Sequence, residues 1–326
     1  MIKFGIQQSS HSFPKVPQPG QPQAHGHAIF ENVQRIAQEA ERAGFDSFWL
    51  MDHFIQIPGV GGVEQPILEP WTTLAALAAS TSKIRLGTMV TGVPYRNPAL
   101  LAKMGATLDV LSNGRLFMGV GAAWNEREFN AYGWDFPPRA ERMKRLEEAL
   151  QVIQAMWTHK SATFQGRYYR IKDAICEPQP VQRPRPPILI GGGGEQVTLK
   201  LVARYADACN LFGSPATLRR KHEILARHCA AAGRDPAQLQ RTRLGQIVIA
   251  RNEAELKRKL ARYVPGGLGE GEAAWGVIAG TPAQCIERCA ELLQAGVDYL
   301  IFSFPDADTL EPLRLFAEEV APALKV

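Results

Sequence analysis

The chain has 326 residues, 45% hydrophobic and 21% charged, with a formal net charge of +5, the composition of a water-soluble globular protein large enough for one extended α/β domain. Acidic and basic residues alternate along helix-like stretches, and the clusters Arg219-Arg220-Lys221 and Lys257-Arg258-Lys259 read as solvated helix faces, which argues against a nucleic-acid partner. No apolar run reaches membrane-spanning length, and Cys176, Cys209, Cys229, Cys285 and Cys289 lack CxxC spacing, so they read as buried thiols in a reducing cytoplasm with no zinc site.

Met1 to Ile6 reads as a strand and lacks the pattern of a signal peptide. The loop from His11 to His27 holds three histidines, at 11, 25 and 27, whose spacing matches no standard ligand set. Being rich in Pro, Gln and Gly, it reads as solvated, with no metal. Short β-rich runs then recur with helices between them: Lys3–Gln7, Ser47–Met51, Ile84–Val90, Leu116–Val120, Ile188–Ile190, Ala208–Phe212, Leu244–Ile249 and Tyr299–Ser303. Repeated strand–helix units predict a parallel sheet, and eight of them predict a (β/α)8 TIM barrel spanning 1–326 as a single domain. Helix punctuation agrees, with Asn97-Pro98 and Thr281-Pro282 as starts and Gly44 and Gly296 as stops.

Two stretches break the spacing. After the fourth strand an insertion holds the helix Arg139–Trp157, the segment Phe164–Tyr169 and a proline-rich tract from Pro178 to Pro187, and it is expected to lie over the barrel. Pro265 to Gly280, with five glycines before its last residue, is expected to be a mobile loop.

Active sites of such barrels are assembled after the carboxyl ends of the strands. Strand two ends in Asp52-His53, a pair that can orient a ring cofactor and move a proton, or can be a hydrogen-bonded structural pair. Strand three, Leu86 to Gly92, offers small and hydroxylated residues, Thr91 among them, against which a flat ring can lie. Strand four runs into Gly121-Ala122-Ala123-Trp124-Asn125-Glu126, supplying space, a wall, an amide and an acid, although Trp124 reads equally as core and Glu126 as an ordinary helix-start acid. After strand five come Gly191, Gly192, Gly193 and Gly194 and then a helix-like stretch. Such a turn can cradle a phosphate with its main-chain N–H groups, or be only a tight connection. It is not the dinucleotide fingerprint, because the glycines are contiguous and no acidic residue follows a second strand at the required place.

The ordered segments FWLMDHF (48–54), LGTMVTGVPYRNP (86–98), GVGAAWNEREFNAYG (119–133) and PILIGGGGEQVTLKLVARYADACNL (187–211) resemble the luciferase-like monooxygenase superfamily, and within it the coenzyme F420-dependent oxidoreductase branch. The resemblance spans essentially the whole chain. It implies the TIM barrel, a homodimer, a small-molecule substrate, and F420, or alternatively FMN, with its ring in the barrel mouth and a phosphate on Gly191–Gly194. It further implies that Asp52 contacts the ring, that His53 handles a proton, that Met89 and Val90 press on one ring face across a cis peptide bond, and that Gly121, Ala122 and Asn125 line its edge. One departure stands out: the sugar-phosphate dehydrogenase members carry a catalytic glutamate where this chain has Ala122, Ala123 and Trp124, and Glu126 is the nearest replacement. The implied reaction is hydride transfer to or from F420. An FMN-dependent monooxygenase and a non-catalytic flavin-binding protein remain alternatives.

Overall fold

The computed structural model describes residues 2–8 and 26–325. Eight parallel strands close into a barrel: β1 (Lys3–Gln8), β2 (Ser47–Leu50), β3 (Arg85–Thr88), β4 (Leu116–Gly121), β5 (Ile188–Gly191), β6 (Ala208–Leu211), β7 (Gln240–Ile249) and β8 (Tyr299–Ser303). The seam joins the chain's ends, with Lys3 beside Tyr299 and Ile6 beside Phe302.

Strand residues alternate between two cores. Trp49, Phe117, Leu189, Tyr299 and Ile301 fill the barrel interior, whereas Phe48, Leu86, Met118, Ile190 and Leu300 face the helices. A strand buried on both faces must be apolar at nearly every position, which is why these runs were readable as continuous β-rich segments. The covering helices include α1 (Gly26–Arg42), α2 (Pro70–Ser80) and α3 (Pro98–Leu111). The apolar stripe Val33, Ile36, Ala37 and Ala40 of α1 is buried, and the helix closes at Gly44 with φ 81°. Asn97 Oδ1 accepts from the Ala99 amide, 2.9 Å away, to start α3.

The insertion corrects one expectation. Its helix α4 (Arg139–Thr158) is the barrel's own cover between β4 and β5, packed on α3 where Gly105 leaves room for the Trp157 ring and the Trp157 indole donates to the Ala102 carbonyl at 2.8 Å. An antiparallel hairpin, Ala162–Gln165 with Arg170–Ala174, hangs on Glu148 of α4, whose carboxylate accepts the amides of Arg167, Tyr168 and Tyr169. The proline tract runs beneath the barrel, since Gln182 bonds Asp109 and the Leu116 carbonyl at the amino end of β4. Of α4, Arg139, Arg142 and Met143 reach the mouth.

Helices α5 (Thr198–Tyr205), α6 (Pro215–Ala231), α7 (Glu253–Tyr263) and α8 (Pro282–Gln294) complete the layer, and at the start of α8 the Thr281 amide donates to Gln284 Oε1 at 2.8 Å. The segment from Pro265 is not wholly loop, because Val277–Gly280 forms a parallel strand beside the far end of β7. Among the described residues no helix is long and apolar enough to cross a membrane.

Candidate active site

Two adjoining cavities open at the carboxyl ends of the strands, of about 400 and 970 Å³, and both are bordered by His53, Met89, Trp124, Phe212 and Leu244. The smaller runs from these shared residues to the four-glycine turn. The larger extends over β1, β7 and β8.

The turn is built as a cradle. Gly192 has φ 117°, a conformation L side chains rarely adopt, a Cβ at Gly193 would collide with the Lys221 ammonium, and one at Gly194 would lie 2.8 Å from Thr198 Oγ1. Among the described residues the amides of Gly193 and Gly194 have no protein acceptor. Arg139 and Arg142 border the same cavity from the start of α4, the Arg139 guanidinium 3.5 Å from where a Cβ at Gly194 would lie and that of Arg142 donating to the Pro137 and Ala123 carbonyls, so the turn lies in a cationic setting. The nearby carboxylate of Glu195 is tied to Arg220. This chemistry fits a phosphate.

The cavity floor is the peptide between Met89 and Val90, which is cis. Gln7 reaches from β1 to donate to the Met89 carbonyl at 3.1 Å. The Val90 side chain occupies space that glycines leave, since a Cβ at Gly121 would be 2.8 Å and one at Gly191 3.0 Å from its methyl groups. Gly121 and Ala122 line this cavity. Thr91 does not. It is buried in the barrel wall, its hydroxyl 2.7 Å from that of Thr88 and accepting from the Trp71 indole at 3.1 Å.

The Asp-His pair divides into two networks. Asp52 is buried, with Oδ2 2.7 Å and Oδ1 2.9 Å from the two terminal nitrogens of Arg96, and Oδ2 also accepts the Gly92 amide at 3.1 Å. Burial pushes its carboxyl up against the pull of Arg96. Arg96 itself stays firmly cationic, because Asp52 and Glu69 outweigh the cost of burying it. Asp52 borders the cavity, but its oxygens are held by protein groups, so it fixes the backbone behind Val90. His53 turns the other way, its Nδ1 2.8 Å from Glu128 Oε2. Glu128 is completely buried and also accepts the Phe54 amide at 2.7 Å and the Tyr95 hydroxyl at 2.9 Å. Burial opposes its charge, yet bonds from His53, Phe54 and Tyr95 hold its carboxyl below the usual range. An ionised Glu128 keeps a proton on Nδ1 and leaves Nε2 for the cavity, which His53 borders.

The acid paired with His53 is therefore Glu128 and not Glu126, the nearest replacement for the missing catalytic glutamate. Glu126 is exposed in the first turn of the short helix Glu126–Ala131 and lines neither cavity, and Asn125 is buried outside both linings. The helix turns 100° per residue, so Glu128, two positions on, points into the protein while Glu126 points out. Trp124 is no core residue: it is 57% exposed, its ring 5.7 Å from that of His53 and edge-on. His27 is exposed, and His11 and His25 lie outside the described residues. Among the described residues no group of three or more His, Cys, Asp or Glu side chains is arranged to hold a metal ion.

A family model described as luciferase-like monooxygenase matches residues 10–273. The chain belongs to this family. Luciferase-like relatives include the F420-dependent glucose-6-phosphate dehydrogenase of Nocardia farcinica, 32% identical over 325 residues and covering 89% of this chain and 93% of that protein. The FMNH2-dependent dimethylsulfone monooxygenase of Pseudomonas putida is 28% identical over 328 residues, 90% of this chain and 87% of that one. The barrel also superimposes on the coenzyme F420-dependent tetrahydromethanopterin reductase of Methanopyrus kandleri with a TM-score of 0.80 at 20% identity, covering 99% of each chain. A luciferase-like chain with this site is an oxidoreductase.

Proposed function

We propose that the protein transfers a hydride between coenzyme F420 and a small organic substrate. The observation that carries this reading is the span of the smaller cavity, with His53 at one end and the four-glycine turn, ringed by Arg139, Arg142 and Lys221, at the other. F420 ends in a phosphodiester and acidic glutamates, and an open basic rim suits that tail. The F420-dependent relatives, alike over nearly the full length, support it.

Bound there, F420 supplies a carbon that carries hydride. The chain supplies the rest. The amides of Gly193 and Gly194 and the three cations hold the phosphate, while Met89 and Val90 back the ring. Asp52 and Arg96 keep that floor in register. His53 Nε2 takes a proton from a substrate hydroxyl, or returns one to a carbonyl, while Glu128 holds the imidazole in orientation through Nδ1. Trp124 screens His53 from water.

An FMN-dependent monooxygenase is the second reading, favoured by the Pseudomonas relative and by a cradle that also suits a monophosphate. Anaerobic titration of the protein with F420 and with FMN separates the two. Micromolar F420 binding with much weaker FMN binding supports hydride transfer, and the reverse order overturns it.

A further inference from the structure

Arg243 on β7 is 2% exposed and borders the larger cavity. Its Nη2 donates to the Trp275 carbonyl, and among the described residues Nε and Nη1 are buried without any acceptor. Among the described residues no carboxylate is paired with it. The charged neighbour on α8 is another cation, Arg288, whose guanidinium carbon sits 3.5 Å from the centre of the Trp275 ring. Burial pulls the pKa of Arg243 down to about 10, so the group is still a cation at neutral pH. An uncompensated buried charge is strongly unfavourable, and chains keep one where something else supplies the counter-charge. The surroundings keep its place open, since a Cβ at Gly245 would collide with Nη1.

The rest of the cavity has the same bias. Lys221 and Arg262 also border it, against one carboxylate among the described residues, Glu272, which accepts the Ser214 amide at 2.8 Å. Trp124 and Phe212, 57% and 55% exposed, flank the opening toward His53. Exposed aromatic rings beside a cationic pocket suit a molecule with an apolar body and an acidic end.

We propose that this cavity binds an organic anion as substrate, its carboxylate, sulfonate or phosphate facing Arg243 and its apolar body lying between Trp124 and Phe212. The proposal deepens the hydride-transfer reading and rests on it for the word substrate. Lys221 also touches the glycine cradle and Arg262 is exposed, which leaves Arg243 as the buried cation given over to this anion.

The test titrates the protein, with and without saturating F420, with benzoate, benzenesulfonate, phenyl phosphate and neutral benzamide, measuring the heat of binding by calorimetry. At least one anion should bind tenfold or more tighter than benzamide, and the strongest of the three identifies the acid. Arg243→Gln should erase that preference and Arg243→Lys should keep most of it, with melting curves reporting whether each variant is folded. Equal affinity of the parent for benzoate, benzenesulfonate, phenyl phosphate and benzamide overturns the proposal whatever the variants do, as does an anion preference that survives in folded Arg243→Gln. An intact anion preference in a protein that ignores F420 sinks the cofactor reading alone.

Discussion

Arg115 and Arg243 are both buried, at opposite ends of the barrel, and they are treated in opposite ways. At the amino end Arg115 makes five hydrogen bonds, to the carbonyls of Ser112, Ile84, Ala78 and Thr81 and to the Thr81 hydroxyl, all between 2.6 and 3.0 Å. At the mouth Arg243 has one acceptor and two idle nitrogens. The amino end also ties the insertion down through Gln182 and Asp109, while the mouth exposes free amides, cations and two aromatic rings. Polar groups satisfied by the chain hold the barrel together, and polar groups left waiting mark where something else binds.

This division can be broken by mutation, and the largest effect is expected at the closed end. Arg115→Met strands five acceptors and should lower unfolding free energy by about 2–4 kcal/mol, while leaving F420 affinity unchanged in the folded fraction. Chemical denaturation with a parallel titration checks both halves. Gly193→Asp should do the converse. Its carboxylate meets Lys221 and fills the cradle, so F420 affinity should fall a hundredfold or more, on the order of 3 kcal/mol, with little change in melting temperature. Unchanged affinity would reduce the glycines to a turn.

Two further variants sharpen roles within the mouth. His53→Ala should cut turnover roughly a hundredfold with F420 affinity nearly intact, which steady-state kinetics beside the titration resolves. Glu128→Gln should cost about tenfold, because the imidazole keeps its place but loses its charged partner. The same residue predicts a pH effect. Its carboxyl is held below the ordinary 4.5, so its contribution to stability is complete above that value and disappears as pH falls through the lowered one. Melting temperatures followed from roughly pH 6 down to 3 should therefore fall more steeply for the parent than for Glu128→Gln.

The parts legible in the sequence were those where one signal had one cause. Runs buried on both faces gave the strands within a few residues, and the four glycines marked the strand–helix turn while reading either as a phosphate cradle or as a tight connection. β7 was placed from Leu244 onward, although it begins at Gln240, because Gln240-Arg241-Thr242-Arg243 looks solvated. Val277–Gly280 was lost among glycines. Glu128 and Glu126 both look like acids at a helix start, and only the helix's rotation separates them. Lys221 read as part of a solvated face, though its ammonium lies against Gly193, because a cation beside a helix start carries no sign of what approaches from another strand. Arg96 sat inside a quoted motif without a role, its partners Asp52 and Glu69 being 44 and 27 residues away.

The seam between β1 and β8 has a consequence for when this site comes into being. The larger cavity takes walls from Gln7 and Gln8 of the first strand and from Ser303 and Phe304 at the end of the last, and Lys3 finds its neighbour, Tyr299, almost three hundred residues later. The enclosure for a second molecule therefore waits until residues beyond 300 have been made and β8 has met β1. Ligands of that cavity bind the closed circle and not its precursors, so by mass action they pull the final strand into place.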